Sequence, residues 1–514
     1  MVAHLAEMTL TGRDSFGSVR TKMLPYKVIM WGGLSVLTYV YVVGELSHFL
    51  LGIVSRPMAQ EIHYGDKACL PNPEVDLQSR DCQDIKNVTE CELYHEDDFT
   101  KLCVWDYSGL GIEYQVLAGP AFVAVFTTAG VFIGFLADRV NRKVVVSVCC
   151  GLLCLSTGLM GAAVSYWQLV GLRMLMGAGE SAFSPVCSSM ISDMFPESQR
   201  AMALGIFNWG IYFGYGLSYA VGNFITQANI SGLGWRWSYI LTGLLGVLAT
   251  ILLLFVPEPV RNSQLSGKYI EKHSEKPETC KEECLSTVTT PPAEEDLNDL
   301  ASPTSSGSRL GLWSGDSGLK QVLKSLLTLP VIIIAVAAGT RHTAGFSWAY
   351  NTQLYFSTYY PDFNLGLWVT GCSIIGGSLG VAVGGFVSDR LVKRIGLRAR
   401  LYVLAGSQLL ATPFAAGVLY FPPPGAFFSL LGAYLFAEMW FGVLFAVILE
   451  LVPATVQAAA IAVFLFVMNN IGGNLPVLVD PITRALDYRS ALLIMYPGGY
   501  LLSSIIFFIA SFFV

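Results

Sequence analysis

The sequence predicts an all-α membrane protein with twelve transmembrane helices arranged as two pseudo-symmetric six-helix bundles. Three observations predict this fold class: the composition, the length of the apolar runs and an internal repeat. Of the 514 residues, 53% are hydrophobic and only 13% are charged, and the mean hydropathy is +0.55. A soluble chain of this size needs more charge to cover its surface. Apolar runs of about 20 residues match a helix that crosses a bilayer, whereas barrel strands would alternate over about ten residues.

The apolar runs place the predicted spans along the chain. An even number of spans puts both termini on one side, and Lys22 and Lys27 before the first span indicate that this side is the cytoplasm. The basic segments 139–143 and 390–400 agree, because short basic loops remain in the cytoplasm. The predicted spans are 28–53, 114–137, 144–165, 168–192, 201–224, 237–256, 328–350, 366–387, 400–420, 427–450, 457–478 and 490–513.

Two polar segments divide the spans into domains. Residues 1–27 are predicted to be a cytoplasmic N-terminal segment, followed by an N-terminal bundle over 28–256. Residues 257–325 are rich in Ser, Thr, Pro, Glu and Lys, so they bury too little apolar surface to fold. We expect them to form a disordered cytoplasmic linker before a C-terminal bundle over 326–514.

The loop between the first two spans, residues 55–112, is acidic and contains Cys69, Cys82, Cys91 and Cys103. Four cysteines in such a loop predict two disulfides in an oxidising compartment, and their pairing cannot be derived from the sequence. The sequon at Asn87 lies in this loop. A second sequon at Asn229 lies on the same predicted face of the membrane, so both are candidate glycosylation sites.

The two halves of the chain repeat one another. Residues 134–143 and 385–394 share the pattern Gly-x-x-x-Asp-Arg followed by basic residues, each after the second span of its half. Residues 193–196 and 450–453 form a second matched pair, each an acidic residue followed by two apolar residues and Pro. Parallel six-helix repeats are typical of transporters whose halves rock against each other.

The repeated loop resembles the signature loop of the major facilitator superfamily, which implies the major facilitator fold. Residues 134–143, 173–183 and 210–219 resemble the spinster group of lysolipid and sphingolipid transporters within that superfamily. The resemblance implies roles for acids of the first and fourth helices, carried here by Glu45 and Glu180.

The signature loops suggest a cytoplasmic gate. Asp138 and Asp389 stand at helix ends among cations, where a carboxylate can bind a helix N-terminus or an arginine and latch the two halves. Alternatively, the cations only hold the loops in the cytoplasm, but this reading leaves the matched Asp residues unexplained. The expected gate residues are Asp138, Arg139, Arg142, Glu197, Arg200, Asp389 and Arg390, with Arg200 and Glu197 as counter-charges.

Ionisable residues at bilayer depth are functional candidates because each costs about 2.5–3.5 kcal/mol to insert. Buried carboxyl groups at Glu45 and Glu180 are candidates to bind and release a proton. Arg341, and with less support Arg173, are candidates to hold an anionic group, although an ion pair of Arg173 could instead fix packing. The expected substrate or proton site comprises Glu45, Arg173, Glu180, Arg341, His342, Glu438 and Asn470, although a bond across helices is the favoured interpretation for Asn470.

These features predict a secondary active transporter that moves a lysolipid, sphingoid phosphate or similar amphiphilic anion across a membrane by alternating access, with proton coupling as a candidate driving force. One alternative is a proton-coupled transporter of a small organic anion or sugar; another is a non-transporting receptor or scaffold. We expect no enzyme activity, cofactor, metal centre or nucleic-acid partner. We expect a monomer in the plasma membrane or an endolysosomal membrane.

Overall fold

The computed structural model describes residues 26–72, 82, 85–93, 102–259, 324–361, 363–453 and 457–514. Nearly all of the expected N-terminal segment and of the expected linker lies outside the described residues. The side chains of Asp138, Arg139 and Glu197, three of the expected gate residues, also lie outside what is described.

Helices occupy every predicted span. Within the described residues, ten helical segments are long and apolar enough to cross a membrane. The fourth and fifth predicted spans coincide with the remaining helical segments, so the predicted all-α fold is confirmed. In chain order, spans 1 to 6 are Tyr26–Ile62; Ile112–Ala118 with Pro120–Arg139; Arg142–Met160; Tyr166–Glu180 with Ser188–Met194; Glu197–Ala228; and Trp235–Leu253. Spans 7 to 12 are Leu329–Tyr359; Gly366–Gly371 with Ser378–Ile395; Arg398–Tyr420; Gly425–Ala437 with Phe441–Leu451; Gln457–Asn474 with Val479–Ala485; and Tyr488–Met495 with Pro497–Ala510.

The halves meet along three pairs of spans. Span 2 packs on span 11, span 5 packs on span 8, and span 1 packs on span 7. In the repeat, each span of the first half corresponds to the span six places later in the second half. Spans 2 and 11 therefore correspond to spans 8 and 5, and the two contacts are equivalent. This arrangement is what the sequence repeat predicts for two related bundles.

A small disulfide-bonded unit covers one end of the bundle. Strand β1 (Lys67–Pro71) pairs antiparallel with strand β2 (Cys103–Tyr107), beside the short helix Val88–Glu92. Cys69 is bonded to Cys91 and Cys82 to Cys103, and all four cysteines are buried. The expected two disulfides are therefore confirmed, and the structure supplies their pairing. We call this end the outer end, and the opposite end, which carries the signature loops, the inner end.

Glycines let the helices around spans 1 and 4 approach closely. A Cβ atom on Gly214 of span 5 would lie 2.6 Å from the Val42 carbonyl oxygen of span 1. A Cβ atom on Gly179 of span 4 would lie 2.7 Å from the Leu153 nitrogen of span 3. Small residues at such contacts allow close backbone packing, which favours helix association in lipid, and here they seat span 1 against span 5 and span 4 against span 3.

Two spans, one in each half, contain a π-helical turn. Phe183–Cys187 interrupts span 4 just after Glu180, and Cys372–Gly377 interrupts span 8. A π-turn widens the helix locally and is frequent at functional sites.

Candidate functional site

An acidic cluster lies between spans 1 and 4. Potential ligand atoms of Glu45, His48 and Glu180 all lie within 4.8 Å of one another. Glu180 is 3% exposed and His48 is 6% exposed, so neither faces lipid or bulk water. Glu180 Oε2 and His48 Nε2 are buried without a hydrogen-bond partner among the described residues. The cluster can therefore accept a proton or another cation.

Local helix geometry explains this cluster. Glu45 and His48 are three residues apart in span 1, so they lie on one face of the helix. Glu180 ends the helix Tyr166–Glu180, immediately before the π-turn of span 4. Gly44 allows spans 1 and 4 to approach, because a Cβ atom there would lie 2.9 Å from the ring of Phe183 in the π-turn.

Arg173 is fully buried two turns before Glu180, but its partners are main-chain carbonyls. Its Nε donates to Leu117 O at 3.1 Å and its Nη1 donates to His48 O at 3.1 Å. The guanidinium also lies 4.8 Å from the centroid of the Phe122 ring. Arg173 thus joins spans 1, 2 and 4, which favours a packing role over the expected anion-binding role. The sequence suggested an ion pair as the packing contact of Arg173, but its described hydrogen bonds are to main-chain carbonyls.

A second charged group lies where the halves meet. Arg341 Nη2 of span 7 donates to Glu438 Oε1 at 2.8 Å and to Ala437 O at 2.8 Å. The Tyr212 hydroxyl of span 5 donates to Glu438 Oε2 at 3.1 Å, so the group bridges both halves. Arg341 also lies 4.2 Å from the Trp440 ring centroid. Glu438 is available for these contacts because it lies between the two helices of span 10.

His342 lies beside this charged group, and Asn470 lies at the interface of the halves. The His342 ring contacts Phe346 edge-on, with ring centroids 4.6 Å apart, and it lies 5.8 Å from the Trp440 ring. Asn470 Nδ2 of span 11 donates to Thr127 Oγ1 of span 2 at 2.9 Å. Asn470 therefore bonds across the halves, the second of its two expected roles.

Aromatic residues line the interface between the halves. Phe49 of span 1 lies 6.2 Å from Phe346 of span 7 and 4.7 Å from Tyr215 of span 5, measured between ring centroids. The Tyr434 hydroxyl of span 10 donates to the Tyr215 hydroxyl at 3.0 Å. These rings form a largely apolar surface, which we call the aromatic surface and define as Phe49, Tyr215, Phe346 and Tyr434.

Polar bonds close the outer end of the interface, and sequence reasoning missed them. Apart from Arg56, the side chains that make them are uncharged and belong to no motif. Gln115 Nε2 of span 2 donates to Asn351 Oδ1 of span 7 at 3.1 Å. Other bonds across the halves join Arg56 Nη1 to Ser357 O at 3.2 Å, Asn223 Nδ2 to Gln353 Oε1 at 3.2 Å, and the Tyr114 hydroxyl to Tyr350 O.

The inner end contains two matched arginine clusters, one in each half. Arg142 Nη1 lies 2.7 Å from Asp193 Oδ2, and Arg142 Nε lies 3.1 Å from Glu258 Oε1. In the second half, Arg400 Nη2 lies 2.9 Å from Glu450 Oε1, and Arg400 Nη1 lies 3.2 Å from Asp389 Oδ1. Each arginine lies in the first turn of the third span of its half, and Asp193 and Glu450 lie at the end of the fourth span.

The expected gate is therefore only partly brought together. Arg142 and Asp389 belong to the arginine clusters, whereas Arg390 lies 4.6 Å from the Phe386 ring centroid. Arg200 Nε donates to Ser192 O at 2.9 Å, so the contact described for it is a main-chain carbonyl. Arg400 was missed, although the basic segment 390–400 contains it.

The two expected glycosylation sites both lie exposed at the outer end. Asn87 precedes the helix Val88–Glu92, and its side chain accepts from Thr89 N at 3.1 Å. Asn229 follows span 5 and has a left-handed backbone with φ of 42°.

Comparisons with known proteins agree with this architecture. The sphingosine-1-phosphate transporter SPNS2 of Danio rerio is 36% identical over 152 residues, covering 29% of this chain and 29% of that protein. Protein spinster of Drosophila melanogaster is 30% identical over 162 residues, covering 32% of this chain and 26% of that protein. The matched part thus spans less than a third of either relative's length.

Solved structures share the fold over almost the whole chain. A bacterial homolog of the human lysosomal transporter Spinster, inward-facing and unoccupied, aligns with a TM-score of 0.63 at 16% identity, covering 97% of each chain. The inward-open xylose transporter XylE of E. coli aligns with a TM-score of 0.57 at 13% identity, covering 94% of this chain and 95% of that one. The family model described as Major Facilitator Superfamily matches residues 40–475. The chain therefore belongs to the major facilitator superfamily and is a multi-pass membrane protein.

Proposed function

We propose that this chain is a secondary active transporter of a lysolipid, a sphingoid phosphate or a similar amphiphilic anion, coupled to protons. The observation that carries the proposal is that Arg341 and the aromatic surface both lie at the interface of the halves. An amphiphilic anion presents the complementary pair of a charged head and an apolar chain. The relatives named as sphingosine-1-phosphate transporters support this substrate class.

Arg341 is the residue that binds the anionic head in this proposal. Its guanidinium offers a planar set of donors that suits phosphate or carboxylate oxygens. Nη2 is held by Glu438, whereas Nε has no hydrogen-bond partner among the described residues. A phosphate can bind at Nε and compete with Glu438, so release of the head restores the ion pair.

The aromatic surface would receive the apolar chain. Its rings belong to spans 1, 5, 7 and 10, so the chain would touch both halves. Burial of each CH₂ group contributes about 0.8 kcal/mol, so a long acyl or sphingoid chain provides much of the binding energy. A sugar or a small organic anion lacks this contribution.

The acidic cluster would carry the coupled proton. Glu45 and Glu180 lie side by side in a buried region, where two ionised carboxylates repel each other. A proton bound to the cluster removes that repulsion. Its release would accompany the change in which side of the membrane the binding site opens to. Both acids lie in the N-terminal half, so the proton site and Arg341 are on separate bundles.

Alternating access would require the bonds between the halves at the outer end to break when the halves close at the inner end, and to form again when the inner end opens. The outer end is joined across the halves by bonds such as that of Gln115 to Asn351. The arginine clusters at the inner end pair residues within each half and would hold each bundle rigid as it moves. Binding at the interface can then be exposed to one side at a time.

Flux of labelled lysolipids into proteoliposomes, with and without a pH gradient, tests the proposal. We expect uptake of anionic lysolipids to rise with the gradient and to be lost in Arg341→Ala and Glu180→Gln. Arg236→Gln is the matched control, because Arg236 is also paired with a carboxylate, Glu61, but at the outer end. Uptake of sugars or small anions without lysolipid uptake would favour the small-solute transporter. Intact flux in both site variants would contradict the proposed roles.

We further propose that both termini are cytoplasmic, that the outer end faces the exterior or an organelle lumen, and that the chain works as a monomer in the plasma or endolysosomal membrane. The exposed sequons at Asn87 and Asn229, together with the disulfides at the outer end, support this orientation. Glycosidase treatment should increase gel mobility in the wild-type chain but not in the Asn87→Gln/Asn229→Gln variant. An unchanged mobility of the wild-type chain would contradict the orientation.

A further inference from the structure

The residues Glu45 and His48, with two residues between them, form a Glu-x-x-His pair on one face of span 1. Helix bundles use the same spacing for metal ligands, completed by carboxylates from neighbouring helices. Glu180 of span 4 provides such a carboxylate here, with its ligand atom within 4.8 Å of the other two.

Two potential ligand atoms of this cluster are unused. Glu180 Oε2 and His48 Nε2 are buried and lack a hydrogen-bond partner among the described residues. The side chains that carry them are 3% and 6% exposed. Unpaired buried polar atoms are costly, so an interacting cation would stabilise this arrangement.

The chemistry of the donors selects the type of cation. One imidazole nitrogen with two carboxylates suits a borderline transition metal such as Zn²⁺, whereas Na⁺, Mg²⁺ and Ca²⁺ prefer oxygen donors alone. Three protein ligands would leave a further coordination position for water. The two carboxylates would also balance the dipositive charge of the ion.

The distances permit metal binding after a small side-chain adjustment. In a tetrahedral zinc site with bonds of about 2.0–2.1 Å, ligand atoms lie about 3.3 Å apart. The atoms here lie within 4.8 Å, so rotation of the glutamate side chains can bring them into range.

The surroundings support such a site. The His48 ring is held by Phe122, with ring centroids 4.0 Å apart, and by Phe49, with centroids 4.5 Å apart. The Arg173 guanidinium nearby is occupied by carbonyl oxygens, including His48 O, so it leaves the carboxylates available. A ring fixed by aromatic packing has less freedom to lose when it binds an ion.

We propose that Glu45, His48 and Glu180 form a binding site for a divalent transition-metal ion, with Zn²⁺ as the representative ion. Metal binding itself does not depend on the proposed transport function. Its consequence does rest on that function: a bound ion would occupy the carboxylates assigned to the proton and would inhibit proton-coupled flux.

Calorimetric titration of the purified full chain with Zn²⁺ tests the site. We expect one saturable site in the wild-type chain, weakened at least about tenfold in Glu180→Gln and in His48→Gln, because loss of even a supporting group weakens metal sites by about 10–100-fold. His342→Gln is the matched control, since it removes an imidazole from the membrane interior outside the cluster and should leave Zn²⁺ affinity unchanged. Unchanged affinity in both cluster variants would overturn the proposal.

A measurement on the wild-type chain keeps the test independent of variant folding. Zinc-edge X-ray absorption of the stoichiometric complex should show nitrogen and oxygen ligands including one imidazole. A spectrum dominated by sulfur would assign the ion to cysteines and overturn the proposal. Flux measured on the same preparation separates the two ideas: Zn²⁺ binding without lysolipid uptake contradicts only the transport function, whereas uptake without a zinc site contradicts only this inference.

Discussion

Replacing Asn351 should shift the balance between the two access states, because Asn351 closes the outer end. Its side chain is fully buried and accepts from Gln115 Nε2 of the other half at 3.1 Å. In Asn351→Ala the Gln115 amide, itself 2% exposed, loses this partner while the outer end is closed. A buried polar group left unpaired costs about 1–3 kcal/mol, and water removes that cost when the outer end opens. The outer-open state should therefore gain about 5–150-fold in population.

Pulsed electron spin resonance can measure this shift. Spin labels at Leu233 and Leu486 report on opposite halves at the outer end, and both positions are exposed. We expect a longer distance population to grow in Asn351→Ala. Gln408→Ala is the matched control, because the bonds described for this buried amide, to Ser407 and Ala437, lie within the C-terminal half. Equal distance distributions in Asn351→Ala and wild type would refute the reasoning, as would an equal shift in the control.

Three further predictions concern stability and binding. Arg142→Ala removes a buried guanidinium that contacts Asp193, Glu258 and Ser189, so the unfolding free energy should fall by about 3–5 kcal/mol, measured as a lower melting temperature in detergent; an unchanged melting temperature would show that these contacts are not structural. Glu438→Gln removes the competitor for Arg341, so the Kd of an anionic lysolipid should fall by about fivefold, or 1 kcal/mol, by calorimetry; weaker binding would mean that Glu438 positions the arginine. Cys69→Ser removes one of the two described disulfides, so the free energy of unfolding of the outer unit should fall by about 2–5 kcal/mol and the unit should become sensitive to protease. Full resistance to protease would contradict a stabilising role for this disulfide.

The spans and the inward position of the charges could be predicted because lipid imposes strict physical requirements. A helix must be about 20 apolar residues long, and an ionisable group must avoid the hydrocarbon. Glu180 and Arg341 are accordingly 3% and 4% exposed. The two disulfides followed from the number and setting of the cysteines, but four cysteines allow three pairings that only the folded loop distinguishes.

Partners distant in the chain could not be predicted. Glu438 is 97 residues from Arg341, and both were recognised singly as charges within spans. Arg173 was expected to meet an anion or a carboxylate, because main-chain carbonyls have no signature in the sequence. Gln115 and Asn351 were missed for a related reason: they carry no charge and belong to no motif, so nothing in the pattern marks them as a contact between halves.

Relative movement of the halves is the central claim, and restraining that movement tests it most directly. Cysteines at Gln115 and Asn351, which lie on opposite halves, can be joined by a reversible bifunctional thiosulfonate reagent in proteoliposomes. We predict that joining them stops lysolipid flux and that reduction restores it. The single Gln115→Cys variant and the wild-type chain, in which the five free cysteines among the described residues are buried, should respond to neither step. Undiminished flux through fully cross-linked protein would contradict alternating access between the two bundles.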